Sequence, residues 1–359
     1  MSKAQSFWSK TDRFLTITRK VFLNGFTALI LIVVTFSIFG GIGSLFTQEE
    51  KINTENKILW FKPIGVVVDS AVNSTPSLDS IILGGSSGIV QHELSDLLKV
   101  LNAAAEDDSL AAIYINVSEL GMYYSSAFEI ANAVKKIKEN GKRVISYSEN
   151  FGNNSYLISS QANTVMINNY GSVNAYGFSR KREFYKDLYE NINLNFNIFV
   201  AGDFKSGPEP YTRNSMSEED KLAWNEFANP LWEKMTNMME EGRNLSPGAI
   251  QNYGDKVWEL SLSTPERAQI ALQLNLVDMV VTREELREWM FKEFPNEDED
   301  KNSLPDSISI YKYLSTLNED TDESENKIAI VNVEGTIITG EVAYNIAGSD
   351  TIVKNIRKA

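Results

Sequence analysis

The chemistry open to this chain is bounded first by what it lacks. Its 359 residues contain no cysteine, which excludes disulfides, thiolate catalysis and cysteine-ligated zinc together. One histidine, His92, stands in Gln-His-Glu-Leu ahead of an apolar-periodic stretch. A single imidazole cannot build a histidine-rich metal site, and Ser-His-Asp chemistry would rest on it alone; it reads as a surface residue at a helix start. Hydroxyl nucleophiles would then need another base, because a serine must lose its proton as it attacks. A lysine amine, with a reference pKa of about 10.4, serves only where desolvation and neighbours lower that value by several units. Taken singly, any lysine is a solvated surface charge. Lys205 differs in its setting, the loop Phe199–Ser217 (FVAGDFKSGPEPYTRNSMS).

Net charge is −14, and no basic cluster lies beyond the N-terminus. Phosphate neutralisation needs clustered Lys and Arg, so nucleic acid is excluded as a partner. Val21–Phe46 carries no charge and exceeds the ~20 residues that cross a bilayer core as a helix. Lys3, Lys10, Arg13, Arg19 and Lys20 precede it against the lone Asp12, and Glu49, Glu50 and Lys51 follow it. That asymmetry predicts a cytoplasmic N-terminus and an external bulk. A cleavable signal has a shorter apolar core, about 7–15 residues, so an uncleaved single-pass anchor is expected.

The elements that must position Lys205 follow from periodicity. Residues 1–20 form a basic tail, 21–46 the anchor and 47–58 a polar linker. Leu59–Asp69 is apolar and β-branched, which predicts one buried strand. Leu94, Leu97, Leu98 and Leu101 fall at i, i+3, i+4 and i+7 and predict an amphipathic helix over 93–105. Strand Ala111–Asn116 follows, then a helix opened by Ser126 with Glu129 three residues on. Ile130, Val134 and Ile137 line its inner face and Gly141 stops it. Strand Arg143–Tyr147, a short helix over 155–162 and strand Thr164–Ile167 complete an alternation that implies βαβ units and a mostly parallel sheet. Beyond 180, helix 182–191 leads into strand Phe196–Val200 and the polar loop 201–216. Ser217 and Asp220 cap a long helix striped by Phe227, Leu231, Met235 and Met238, which Pro230 should kink. These residues read as core or subunit-interface filler, as do Trp224 and Trp232. Pro265 after Thr264 marks another helix start, and Asn275 ends that helix before Leu276-Val277-Asp278.

The main domain is expected over 59–292. An acidic linker follows over 293–326, containing Glu297–Asp300 and Glu319–Glu325. Lys327–Ile338 (KIAIVNVEGTII) then echoes Pro63–Val72, and the segment from Gly348 echoes 93–105. Residues 327–359 therefore read as the start of a second copy, cut short at the C-terminus.

The Lys205 loop resembles the base-bearing loop of the long, duplicated form of the signal peptide peptidase A family. In that family a strand runs into Gly-x-x-Lys-Ser, then Glu-Pro, then a Met-Ser that opens a helix. The matching residues are Gly202, Lys205, Ser206, Glu209, Pro210, Met216 and Ser217. The charged N-terminus and anchor, Tyr147–Asn163, Gly171–Phe178 and the Thr264…Asp278 element are similar in order, so the likeness runs over essentially the whole chain.

The resemblance implies an α/β, crotonase/ClpP-like βαβ domain with a helical extension, preceded by one transmembrane helix. It also implies a serine/lysine dyad, with Lys205 as the base and the serine supplied by a second copy in a Ser-Gly-Gly-like turn. At the corresponding positions this chain has Asn150–Ser155, with Gly152 nearest the serine position, and Leu120-Gly121-Met122 in place of a Gly-Gly oxyanion loop. Ser155 is accordingly not the nucleophile, and Glu209 with Arg213 reads as a loop-stabilising pair. No cofactor or metal is implied. The implied whole is an inner-membrane, periplasm-facing homotetramer that degrades hydrophobic signal peptides and other unfolded peptides. The rival readings are an acyl-CoA enzyme of the crotonase class and a non-catalytic membrane scaffold or peptide-binding module.

Overall fold

A computed structural model describes residues 19–20, 23–27, 29–32, 35, 52–71, 89–295, 305–317, 328–333, 335–342 and 346–358. The chain divides into two compact units, 1–53 and 54–359. In the first, the described residues between 19 and 35 are helical. Thr27 and Thr35 return their hydroxyls to the carbonyls of Leu23 and Leu31, at 2.8 and 2.7 Å, so neither hydroxyl needs water. Much of the expected anchor 21–46 lies outside the described residues, as do the basic tail to residue 18, residues 47–51 and both acidic stretches. Among the described residues no helix is long and apolar enough to cross a membrane.

The second unit is built on a six-stranded parallel sheet, as the βαβ alternation predicts. In chain order its strands are β1 (Ile58–Phe61), β4 (Ala112–Ile115), β6 (Val144–Ser148), β8 (Thr164–Ile167), β10 (Met279–Val280) and β11 (Ser307–Ser309), arranged β10-β8-β6-β4-β1-β11. Parallel sheets are covered on both faces, hence the continuous apolar runs AIYI and VISYS. Helices α1 (Leu94–Glu106), α2 (Tyr124–Glu139) and α3 (Asn153–Ser159) pack side by side. Where α3 meets β6, the buried Ser146 hydroxyl bonds that of Ser159 at 2.8 Å. Ile58, Tyr114, Ile145, Tyr147 and Met166 instead join a cluster with Leu286 and Met290 of a later helix. Because all six strands run parallel, their carboxyl ends lie at one edge of the sheet.

The expected strand Leu59–Asp69 is two strands in two sheets. β1 ends at Phe61, and β2 (Gly65–Val68) pairs instead with β3 (Gln91–Glu93) and β5 (Leu120–Gly121). The break is at Pro63, which has no N–H to donate, and at Gly65, whose φ of +133° is closed to other residues. Ser126 is also not a cap: α2 starts at Tyr124 with Tyr123 at its N-cap, and Ser126 is buried inside the first turn. Gly141 does stop the helix, at φ +83°, with Lys142 N–H returning to the Ile137 carbonyl.

Two small strands, β7 (Phe151–Gly152) and β9 (Val173–Asn174), pair beside α3. Beyond them lie α4 (Lys186–Asn191), α5 (Glu209–Thr212), α6 (Glu218–Arg243), α7 (Ala249–Ser263), α8 (Arg267–Gln273) and α9 (Arg283–Glu293). Pro230 sits inside α6 without ending it. Of the expected stripe, Met235 is buried with Ala228 and Met239 beside it, Leu231 and Met238 are half-buried, and Phe227 alone turns outward, 58 % exposed. Within the stretch expected as linker, β11 pairs parallel with β1 and leads into α10 (Ile310–Leu314), whose Tyr313 is buried. Near the C-terminus β12 (Thr336–Ile338) pairs parallel with β13 (Ile346–Gly348), which runs straight into α11 (Ser349–Lys358). β2 and β3 run into α1 in the same way, and Gly335 before β12 has positive φ as Gly65 does. Of the strand expected over 327–338, only Thr336–Ile338 is paired.

Candidate functional site

Lys205 lies on the loop between α4 and α5. Upstream of it, the strand expected at Phe196–Val200 does not form: residues 192–200 have no strand partner, and Phe199 is 97 % exposed. The sequence there alternates as a strand should (Asn193, Leu194, Asn195, Phe196, Asn197, Ile198). Alternation supplies a face, however, and a strand also needs a neighbour's hydrogen bonds. Within it, Leu194 N–H bonds the Tyr189 carbonyl at 2.8 Å, and Phe196 packs edge-on to Tyr189 of α4 at 4.8 Å and near Tyr211 of α5 at 4.9 Å. Gly202 turns the chain at φ +102°.

The turn that carries Lys205 is fixed from below by charge. Asp220, whose side chain is 6 % exposed, accepts from Arg180 at 3.0 Å and from Arg182 at 3.4 Å. Arg182 also donates to the carbonyls of Ser206 at 2.7 Å and Gly207 at 3.2 Å. Burial pushes the Asp220 carboxyl up, but hydrogen bonds from Ser206 and Arg180 and the charges of Arg180 and Arg182 outweigh it, leaving its pKa below the usual carboxylate value. Ser217 caps α6 by accepting from Asp220 N–H at 3.1 Å, as the sequence predicts. Glu209 stabilises the loop through the Ser217 hydroxyl and N–H, the latter at 3.2 Å. It forms no ion pair with Arg213 among the described residues. Tyr185 N–H donates to the Pro210 carbonyl at 2.8 Å and Asn214 Nδ2 to Asp187 at 2.6 Å, which ties α4 to α5 and the residues after it.

Lys205 itself is exposed, and its ammonium makes no hydrogen bond or ion pair among the described residues. The dry setting that the sequence asks of this amine is not met within these residues. The Ser217 cap was legible in the sequence, whereas Arg180 and Arg182 were not. Nothing local could reveal them, since they meet Asp220 across 38 to 40 positions of chain.

The turn at Asn150–Ser155 is a helix cap. Ser155 is buried; its Oγ accepts from Gly152 N–H at 2.8 Å and reaches the Gly152 carbonyl at 3.3 Å. Asn154 Nδ2 donates to the Met122 carbonyl at 2.9 Å, which ties the 120–122 loop to the turn. The Oδ1 atoms of Asn153 and Asn154 are buried without a hydrogen-bond partner among the described residues. His92 is not the expected surface residue. It is 6 % exposed in β3, with Nε2 donating to the Ile64 carbonyl at 2.9 Å and Nδ1 3.2 Å from the Tyr311 hydroxyl. Those bonds tie β3 to the β1–β2 break and to α10. Among the described residues, no group of His, Asp and Glu side chains is placed to hold a metal.

Residues 136–294 match Peptidase family S49, a span that includes the whole Lys205 loop. "Protease 4" of Haemophilus influenzae is 29 % identical over 344 residues, 94 % of this chain and 54 % of that protein. "Protease 4" of Salmonella typhi is 26 % identical over 358 residues, 98 % of this chain and 56 % of that protein. "Serine protease SPPA, chloroplastic" of Arabidopsis thaliana is 20 % identical over 254 residues, 70 % of this chain and 36 % of that one. The chain thus spans about half the length of the two Protease 4 relatives. The parallel α/β unit, the Gly202–Ser217 loop and these alignments agree: the chain is similar to the Protease 4 proteins along nearly its whole length, and its residues 136–294 match Peptidase family S49.

Proposed function

We propose that this chain is the base-bearing half of a membrane-anchored serine/lysine endopeptidase of crotonase/ClpP-like fold, with Lys205 as general base. The observation that carries this reading is the Lys205 turn, presented at the surface on a frame held by the buried Asp220 and two arginines. A catalytic group needs such a rigid support if it is to meet a partner delivered from elsewhere. The serine comes from a second copy of the fold, of which residues 327–359 are the beginning. Serine attacks the peptide carbonyl, Lys205 takes its proton and returns it to the leaving amine, and backbone amides hold the oxyanion.

The exposed apolar flank of Lys205 supports the same reading. Phe199 is 97 % exposed and Phe204 62 % exposed, on a stretch patterned as a strand. Docking that stretch onto the second copy would exclude water from the amine, as a lysine base requires. The anchor over 21–46 places the bulk in the periplasm, the assembly is a homotetramer, and the substrates are hydrophobic signal peptides and other unfolded peptides. No cofactor takes part.

Fluorogenic-peptide cleavage by the complete protein tests this, with Lys205→Ala expected to abolish turnover while the melting temperature holds. Turnover that survives the substitution removes Lys205 from the mechanism. The exposed ammonium also fits a second reading, a membrane-tethered scaffold without activity. A complete protein that binds peptides and never cleaves them would establish that instead.

A further inference from the structure

The Lys205 ammonium is bonded to nothing among the described residues, so the backbone beside it decides where the side chain sets out. The next residue, Ser206, is half-buried and held at two points. Its carbonyl accepts from Arg182 Nη2 at 2.7 Å and from the Glu209 N–H at 3.1 Å. Its hydroxyl bonds the Asp220 carboxylate. The carbonyl of Gly207 accepts from the same Arg182 nitrogen at 3.2 Å. One guanidinium nitrogen thus bridges the two successive carbonyls that follow Lys205.

The two arginines on Asp220 differ in what else they touch. Arg180 pairs with the carboxylate at 3.0 Å and lies over the Trp224 ring of α6, 5.7 Å from its centroid. It makes no bond to the 205–207 turn among the described residues. Arg182 reaches the carboxylate with Nη1 at 3.4 Å and the turn with Nη2, and its side chain is 19 % exposed. A planar guanidinium can serve both because its donors point in fixed directions from one rigid group, a fork that a lysine ammonium lacks. Neither arginine lies in a helix or strand, so Asp220 is what sets their places.

We infer that Arg182 is a positioning residue for the Lys205 base: it fixes the Ser206 and Gly207 peptides and so sets the direction from which the amine meets the serine. The inference rests on the protease reading above. A general base must lie within hydrogen-bond reach of the proton it takes. A misplacement of about 1 Å can cost about a hundredfold in rate, even when the cause is remote from the chemistry. Arg180 anchors the frame and sets no direction.

Peptide-cleavage kinetics of the complete protein, comparing Arg182→Gln, Arg180→Gln and Lys205→Ala, test it. Each arginine variant leaves Asp220 with one guanidinium, so both should lower the melting temperature by similar amounts. Arg182→Gln should also lower kcat by about 30–100-fold with KM within about twofold of the parent. Arg180→Gln should lower kcat by no more than about threefold. If Arg182→Gln yields no folded protein, Arg182→Lys, which keeps a charge beside Asp220, reads the same contrast. Equal kcat losses at the two positions, or a loss carried by KM, overturn the inference and leave the protease reading standing. Turnover that survives Lys205→Ala removes that reading and this inference with it.

Discussion

Arg182 and Asp220 meet at 3.4 Å beneath the Lys205 turn, and the same guanidinium holds the Ser206 carbonyl at 2.7 Å. Two hydrogen-bonded arginines thus converge on one buried carboxylate, so removing its charge leaves both without their partner. Asp220→Asn should destabilise the protein by about 1–3 kcal/mol. It should also open the 199–216 loop to proteases before the sheet melts. Limited proteolysis with mass mapping checks the second effect, and unchanged cleavage there would mean that the loop is held by α4 and α5 alone.

The same carboxylate sets an acid limit on the loop. Its pKa in the folded protein is lowered, so the stability it contributes is present above the unfolded carboxylate pKa of about 3.9 and is lost as pH falls through the lower folded value. Loop protection measured by amide exchange should therefore persist at pH 5 and above and decline below about pH 4. The decline should be absent in Asp220→Asn, which has no proton to take up there.

Lys205→Ala should leave stability within about 0.5 kcal/mol of the parent, because the side chain is exposed and bonded to nothing described. Denaturant midpoints check this. A large loss would show that the amine is already buried against other parts of the chain.

Ser155→Ala should cost about 1 kcal/mol, the value of a lost helix cap. Serine-directed acylating probes should show no change in labelling of this chain, since Ser155 Oγ is committed to Gly152. Labelling that disappears with the substitution would make Ser155 a nucleophile after all.

Two glycines with positive φ should respond differently. A Cβ on Gly65 would lie 2.1 Å from the Val90 carbonyl oxygen, whereas one on Gly141 would meet nothing within 4 Å. Gly141→Ala should cost about 1–2 kcal/mol through backbone strain alone. Gly65→Ala adds a steric clash and should cost about 3 kcal/mol or more, enough to lose folded protein at 37 °C. Thermal melts of the pair decide it.

Local spacing wrote the alternation of strands and helices, the leucine stripe of α1, the stop at Gly141 and the cap at Ser217. Each depends on residues within one or two turns of chain, where backbone geometry fixes which side chains share a face. The Gly202–Ser217 loop was legible because its residue types recur together in a known family. Tertiary structure decided what distance along the chain conceals. It split 59–69 at Pro63 and Gly65 between two sheets, and it brought β11 from beyond 300 to the side of β1. It buried His92 against Tyr311, turned Phe227 outward and placed two arginines under Asp220. It left the strand-patterned Phe196–Val200 unpaired. Periodicity states what a segment can pair with, and only the fold determines whether that partner is there.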